Sequence, residues 1–222
     1  MKTWIFWICF AAGLSAFGAE PGRHIGFGIK GAPVFSSHWS PENATYGADV
    51  RTRGLTTSSF GASLRIGLGG WFSLQPEVLV TRKGARHIIT IPGFPWGDLN
   101  AVYEYGYVET PLLCRMEPFR GKRLRPFFTG GLYCAFLRKT EYRVTIPGLV
   151  TLKTGIDSMK RRDAGFASGF GLAMDRGRMG LSVEYRYSMG FIDLEFPTGP
   201  GFPTVELRNL THAVYLEIGF FP

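Results

Sequence analysis

Phe60-Gly-Ala62-Ser-Leu64-Arg-Ile66-Gly-Leu68 places an apolar residue at every second position, with small or polar residues between them. The same alternation occurs in the segment 179–187, Met-Gly-Leu-Ser-Val-Glu-Tyr-Arg-Tyr. Because successive side chains of a strand point to opposite faces, each segment predicts a β-strand with one apolar and one polar face. A soluble sandwich buries the apolar face, whereas a membrane barrel turns it toward lipid and encloses the polar face.

Eight segments of the chain show this alternation between turn residues, and a strand is predicted in each. They lie near residues 24–35, 57–69, 71–82, 101–117, 125–139, 162–174, 179–193 and 207–221. Each is at least as long as the roughly 9–11 residues that a tilted transmembrane strand requires. No helix of useful length and no second domain is predicted.

The connections between these strands alternate in length. Three are short, at Gly69-Gly70, Pro118–Leu124 and Asp175–Arg178. The others are long and rich in Pro, Gly and charge: 36–56, 83–100, 140–161 and 194–206. Strict alternation of short turns and long loops is typical of outer-membrane barrels, whose turns face the periplasm. The chain therefore predicts an all-β fold, an eight-stranded antiparallel up-and-down transmembrane β-barrel in the bacterial outer membrane.

The composition indicates a folded chain with a basic surface. Of the 222 residues, 45 % are apolar and 15 % aromatic, 30 are glycine, and the net charge is +8. The cations cluster between the predicted strands, at Arg51/Arg53, Arg82/Lys83/Arg86, Arg138/Lys139/Arg143 and Lys160/Arg161/Arg162. Nucleic-acid-binding proteins usually concentrate their cations on one helix or groove. We therefore expect no nucleic acid as a partner, and expect outer-membrane lipid and lipopolysaccharide headgroups instead.

The amino terminus has the pattern of a secretory signal peptide. Lys2 supplies a positive start, residues 4–14 form an apolar run, and Ala16-Phe17-Gly18 offers small residues for cleavage. This run is shorter than the roughly 20 apolar residues of a membrane-spanning helix. We expect residues 1–18 to be a cleaved signal peptide, with cleavage after Ala19 as the alternative, and residues 19–222 to form the barrel domain.

The polar face of each strand lines the interior if the apolar face meets lipid. This alternation places eight polar residues inside: Ser63, Arg65, Gln75, Glu77, Glu109, Glu184, Arg186 and Glu217. An eight-stranded barrel is just wide enough for side chains to fill it. Because an unpaired buried charge is very costly, the two arginines are expected to pair with the carboxylates. The alternative is that these carboxylates form a catalytic pair or a proton path.

Patterns that could indicate a catalytic or cofactor site are weak. Gly26-Phe-Gly28-Ile-Lys-Gly31 matches the dinucleotide-binding fingerprint, but it lies inside a predicted strand with no helix after it. The four histidines show no metal-ligand spacing: His24, His38, His87 and His212. A hydrolase site is most nearly approached by His212 with Thr211 and Glu217, and less so by His38 in a predicted loop. No catalytic, cofactor-binding or metal-binding residue is assigned.

Cysteines and strand-end aromatic residues are predicted to have structural roles. Cys114 and Cys134 lie in apolar strand segments, so they are expected to be free thiols, either buried or facing lipid. Six aromatic residues lie at predicted strand ends: Trp71, Phe72, Phe127, Phe128, Phe220 and Phe221. These six are expected to form a girdle at the membrane interface.

Five segments together resemble a known family: 60–68, 74–84, 107–113, 125–132 and 184–190. Their order and spacing are similar to those of the porin-T-like outer-membrane β-barrel domain family, common in Bacteroidetes-type bacteria. The resemblance covers nearly all of the chain after the signal peptide. It implies an eight-stranded barrel with no assigned catalytic residues and no cofactor.

The sequence leaves three functions open. The first is a structural or secretion- and assembly-associated role in the cell envelope, by a monomer without catalysis and with an envelope protein as a possible partner. The second is a binding or adhesion protein that uses its outer loops. The third is a barrel-embedded lipid hydrolase or acyltransferase.

Overall fold

The structure is a computed structural model, and it describes residues 25–39, 49–90, 93, 95, 97–119, 122–146, 150–154, 162–192, 194–196 and 205–221. These residues form ten strands: β1 (Ile25–Trp39), β2 (Asp49–Gly69), β3 (Phe72–Thr90), β4 (Leu99–Met116), β5 (Leu124–Ile146), β6 (Val150–Thr154), β7 (Arg162–Arg176), β8 (Met179–Gly190), β9 (Leu194–Phe196) and β10 (Val205–Phe220). The predicted signal peptide lies outside the described residues.

Eight of these strands form a closed antiparallel ring. They pair in the order β1-β2-β3-β4-β5-β7-β8-β10, and β10 returns to β1 through pairs such as Lys30↔Glu217. The two short strands lie outside the ring, with β6 paired to β5 and β9 paired to β10. The predicted up-and-down barrel is confirmed. Among the described residues there is no helix long and apolar enough to cross a membrane.

The short turns all lie at one end of the ring. Gly70 and Trp71 connect β2 to β3, and Gly177 and Arg178 connect β7 to β8. Gly70 and Gly177 have φ angles of 53° and 61°, in the left-handed region that glycine adopts without strain. The strand ends that the long connections join lie at the opposite end, as predicted, which is the extracellular end in outer-membrane barrels.

The strands extend further at that end than the sequence predicts. Residues expected in the loops 36–56, 83–100 and 140–161 are partly strand, because β2 begins at Asp49, β3 ends at Thr90 and β5 ends at Ile146. β5 continues ten residues past its last pair with β7, which is Phe136↔Arg162. We call residues 49–54, 82–90, 99–106 and 138–146 of β2–β5 the outer wall.

The two faces of the ring have opposite polarity. Its outward face below the outer wall is apolar, with exposed side chains on every ring strand, among them Phe27, Phe60, Val78, Leu112, Leu132, Phe170, Val183 and Leu216. The inward face carries the buried polar and charged side chains. This pattern is the reverse of that in a soluble protein, and it is typical of a membrane barrel. The apolar face has no protein layer packed on it and is therefore available to lipid.

A charge placed in the middle of the apolar face should destabilise the barrel. Leu132 is 61 % exposed on the outward face of β5, so Leu132→Arg should lower the free energy of unfolding in lipid vesicles by about 2–4 kcal/mol. Val150 is 42 % exposed on β6, outside the ring, and Val150→Arg is the matched control with an expected change within about 0.5 kcal/mol. Urea titrations of both variants measure the difference, and equal losses would contradict the assignment of the lipid-facing side.

Candidate functional site

A network of paired charges fills the lower part of the barrel interior. Every strand of the ring, or the residue just after it, contributes at least one member: Lys30, Arg65, Glu77, Arg115, Glu117, Arg125, Asp175, Glu184, Arg186 and Glu217. We call this set the ion-pair network. It contains five cations and five carboxylates, so its formal charges balance when all are ionised.

Arg186 is the centre of this network. Its Nη1 donates to Glu77 Oε2 at 2.6 Å, and its Nη2 donates to Glu77 Oε1 at 2.9 Å. The same guanidinium donates to Glu184 Oε2 at 2.8 Å. Glu184 and Arg186 are two residues apart on β8, so alternation puts both on the inner face. The Arg186–Glu77 pair is bidentate, which is the strongest arrangement of an arginine and a carboxylate.

Lys30 joins strands that are distant in the sequence. Its Nζ lies 2.8 Å from Glu77 Oε1, 3.1 Å from Glu184 Oε2 and 3.4 Å from Glu217 Oε2. Its side chain is fully buried. Lys30 and Arg186 also lie over the ring of Tyr215, at 4.7 and 4.8 Å from its centroid. The aromatic face adds attraction for both cations.

The network continues toward the turn end through Glu117. Arg115 Nε donates to Glu117 Oε1 at 2.6 Å, and Arg125 Nε donates to Glu117 Oε2 at 3.1 Å. Arg125 also donates to Asp175. Arg65 Nη2 donates to Glu217 Oε1 at 3.1 Å and so connects this end to Lys30. The predicted pairing of Arg65 and Arg186 with Glu77, Glu184 and Glu217 is therefore confirmed.

Two of the predicted interface aromatics lie inside the barrel instead. Phe127 is buried with the Arg115 guanidinium 3.5 Å above its ring centroid, and the Arg65 guanidinium lies 5.0 Å from the centroid of Phe221. The prediction for these two was wrong because Phe127 precedes the outward Phe128 and Phe221 follows the outward Phe220. Neighbouring side chains of a strand point to opposite faces, so only one of each pair can face outward. Phe127 fits because Gly171 opposite has no Cβ: one built there would lie 2.5 Å from Phe127 Cζ.

A second, smaller polar group lies nearer the extracellular end. Lys83 makes an ion pair with Glu109, lies 3.7 Å from Asp163 Oδ2, and has its Nζ 4.5 Å from the centroid of Tyr133. Thr81 donates to Glu109 Oε2 at 3.0 Å. Glu109 is inside, as predicted. Its cation is Lys83, so the prediction that Lys83 faces lipid headgroups was wrong.

The interior leaves almost no free space between these two groups. A cavity lined by residues of both groups has a volume of about 10 Å³, space for roughly one water molecule. Thr81, Glu109 and Tyr133 line it from above, and Arg186 and Tyr215 line it from below. Within the described residues the lumen is therefore filled by side chains, as expected for eight strands.

The residues considered for a hydrolase do not form one site. His212 is half-buried, and Tyr185 Oη lies 2.6 Å from its Nδ1. Tyr185 is exposed among the apolar side chains of the outward face, whereas Thr211 and Glu217 are buried inside. His38 is not in a loop, since it belongs to β1 and contacts His87 in the interior. His24 lies outside the described residues, and so does the side chain of Trp39.

The next candidate features are metal-binding groups, the two cysteines and the glycine motif of β1. No group of three or more His, Cys, Asp or Glu side chains there could hold a metal ion. Cys114 is exposed on the outward face and Cys134 is half-buried, and both are free thiols, as predicted. The fingerprint-like glycines 26, 28 and 31 lie inside β1, so the match to a dinucleotide site was coincidental.

Comparison with protein families agrees with this architecture. A family model described as "Outer membrane protein beta-barrel domain" matches residues 20–195. The chain belongs to this family. It is a β-barrel protein of the bacterial outer membrane, with strands that cross the membrane. No curated protein matches the sequence significantly.

Solved structures of outer-membrane barrels resemble the chain over most of its length. The outer membrane protein OprG from Pseudomonas aeruginosa has a TM-score of 0.53 at 12 % identity, with 92 % of this chain and 99 % of that chain covered. AlkL in lipid bilayers has a TM-score of 0.49 at 15 % identity, covering 93 % and 95 %. Outer membrane protein W of E. coli has a TM-score of 0.41 at 10 % identity, covering 91 % and 100 %. At these identities the likeness to OprG shows the fold alone.

Removing the central guanidinium should strongly destabilise the barrel. In Arg186→Met, Glu77 and Glu184 are left facing each other with fewer cations, so the free energy of unfolding should fall by about 3–5 kcal/mol. Arg82→Met is the matched control, because Arg82 also pairs with a glutamate of another strand, Glu104, but its side chain is 65 % exposed. The expected loss there is at most about 1 kcal/mol.

Urea unfolding in the same vesicles measures both variants of this pair. A loss in Arg186→Met no larger than that in Arg82→Met would contradict the central role of Arg186. Glu77→Gln combined with Arg186→Met should recover part of the loss, because it removes the uncompensated charge.

Proposed function

We propose that this protein is a sealed structural barrel of the outer membrane, with an envelope-supporting or assembly-associated role and no catalysis. The observation that carries the proposal is the filled interior, in which cations and carboxylates of all eight ring strands neutralise each other. A transport channel needs an aqueous path, and a hydrolase or acyltransferase site needs a nucleophile with a reacting position beside it. The cavity between the two buried polar groups has space for about one water molecule.

The sealed lumen predicts a barrel that does not conduct like a general porin. Purified protein inserted in planar bilayers should show no large, stable single-channel currents, because the ion-pair network blocks the axis. A wide general porin inserted in the same bilayer is the positive control. Large and stable currents from the wild-type barrel would overturn the proposal of a sealed interior.

The outer wall supports lipopolysaccharide as the partner of this barrel. Its outward face carries exposed cations directly above the apolar face: Arg51, Arg53, Arg82, Arg86, Arg138, Lys139 and Arg143. Among the described side chains of the outer wall, the carboxylates are Glu104 and Glu141. Lys139 hydrogen-bonds Glu141 and thereby lowers the pKa of that carboxyl below its usual range. The face keeps a clear excess of positive charge.

The cations stand in rows across neighbouring strands. Arg53 on β2 is directly opposite Arg86 on β3, and the row continues through Val102 to Arg143 on β5. A second row begins at Arg82, four residues closer to the apolar face, or roughly 13 Å along the strand. Like charges directly opposite each other destabilise a sheet. Phosphate groups of an outer-leaflet glycolipid would offset that repulsion.

Removing these cations should weaken lipopolysaccharide binding specifically. Each cation near an anionic surface contributes about 1 kcal/mol, so Arg53→Gln, Arg86→Gln, Lys139→Gln and Arg143→Gln combined should lower affinity by roughly two to three orders of magnitude. The matched control removes the same charge at the turn end, with Gln at four exposed positions: Lys122, Arg123, Arg176 and Arg178. Binding is measured by titrating lipopolysaccharide onto barrels in phospholipid nanodiscs, and equal losses in both variants would contradict a site on the outer wall.

The outer wall also favours one alternative, a surface-binding or adhesion protein. The same fourfold variant separates the two functions in cells. A binding protein should lose an extracellular partner in pull-downs while the barrel assembles and the envelope stays intact. If the protein is an envelope component, cells with the variant should instead leak periplasmic protein or show altered secretion. The porin-T-like assignment, the cleaved signal peptide, the monomeric state and an envelope protein partner stay predictions, supported by the sequence patterns that suggested them.

A further inference from the structure

Two histidines face each other inside the extracellular mouth of the barrel, above the ion-pair network. His38 on β1 and His87 on β3 are each 7 % exposed. Nδ1 of His38 is 3.3 Å from Nε2 of His87, and the ring centroids are 5.5 Å apart. Both residues lie near the strand ends that meet the long connections. The pair therefore lies on the extracellular side of the ion-pair network.

Thr52 contacts the far side of the His87 ring. Its Oγ1 lies 3.1 Å from Nδ1 of His87. When that Nδ1–H donates to the hydroxyl, the Nε2 lone pair of the same ring points toward His38. A metal-ligating histidine usually donates its other ring N–H to such a partner, which sets the tautomer and the ring orientation. Thr52 thus prepares His87 as a ligand through Nε2.

We propose that His38 Nδ1 and His87 Nε2 bind a divalent transition-metal ion such as Zn²⁺ or Cu²⁺. Zinc–imidazole bonds are about 2.0–2.1 Å long, so two nitrogens 3.3 Å apart subtend about 107° at the ion, close to the tetrahedral angle. His38 binds as the neutral tautomer that carries its proton on Nε2, so that the lone pair of Nδ1 is free and both rings stay neutral. The hydrogen bond between the rings is replaced by two coordinate bonds.

The surroundings of the pair suit this chemistry. The ring of Tyr103 packs edge-on against His87, with 5.4 Å between the ring centroids. The centroids of Tyr105 and His38 are 5.9 Å apart. These contacts restrict the imidazoles, while the soft torsion of each ring allows the small rotation that makes the two lone pairs converge. Neutral imidazole ligands select zinc, copper or nickel over magnesium and calcium.

The site has two protein ligands in the described part of the chain, and water fills the other positions on the ion. A two-histidine site with open positions binds its ion reversibly and more weakly than a closed four-ligand zinc site. Affinity should follow the order in which copper exceeds zinc.

The test uses the full barrel without a histidine tag, folded in detergent micelles, with CuCl₂ and ZnCl₂ as the probes. The Cu²⁺ electron paramagnetic resonance spectrum should show superhyperfine structure from two nitrogens, and a large excess of Zn²⁺ should displace the copper. His38→Gln and His87→Gln should each lose one nitrogen and at least tenfold in affinity. His212→Gln, on a histidine held by Tyr185 among the outward side chains, is the matched control and should leave spectrum and affinity unchanged.

Thr52→Val separates the tautomer argument from the ligands themselves. It should keep both nitrogens in the copper spectrum but weaken binding by about 10-fold, because the second ring N–H loses its acceptor. Heat-modifiable migration on gels confirms that each variant is folded. A wild-type spectrum without two-nitrogen structure, or copper binding retained in the His38→Gln/His87→Gln double variant, would overturn the site.

Discussion

A charged side chain inside an eight-stranded barrel must pair with an opposite charge, because neither water nor lipid can solvate it there. The ring is too narrow for water to solvate its interior, and lipid lies on the other side of the sheet, so pairing within the lumen is the only low-energy arrangement. Lys30 shows how far this requirement reaches, since its three carboxylate partners come from β3, β8 and β10. The β1–β10 pairing that closes the ring brings Lys30 and Glu217 opposite each other. Closing the sheet therefore also brings these opposite charges of the interior together.

Much of this could be predicted from the sequence, because alternation is strong where one face meets lipid. Phe60 and Arg65 were assigned to opposite faces correctly, and Arg186 with Glu77 was correctly placed inside. The outer wall was missed because both of its faces meet water or polar groups, so Arg53, Arg86 and Arg143 leave no period-2 apolar signal. Lys83 was misplaced for the same reason, since a cation within a basic run does not reveal on which side of the sheet it lies. The His38–His87 contact joins β1 to β3, and no local pattern encodes a contact of that range.

The filled lower interior leaves the outward surfaces and the extracellular mouth as the places where other molecules can bind. The apolar face meets lipid, and the outer wall meets the layer above it, where its cations stand in register across β2 to β5. Among the described residues, β2 to β5 are the longest strands, so the wall rises on their side of the ring. Its exposed cations therefore lie on one sector of the described barrel, and a partner at the membrane surface meets them from that direction. The rings of Tyr103, Tyr105 and His87 lie on strands of this wall, and His38 lies on the neighbouring β1.

The distribution of charges over all eight ring strands favours one pairing register of the barrel over registers shifted by one residue. A strand that pairs one residue out of register turns every inward side chain outward. A slip of β8 would send Glu184 and Arg186 into the hydrocarbon layer and bury Val183 among the remaining charges. Such an error costs free energy at both faces at once, so misaligned barrels are unstable relative to the one correct alignment. A β-barrel with an uncharged interior would lose less free energy on the same slip, because only its apolar side chains would be misplaced.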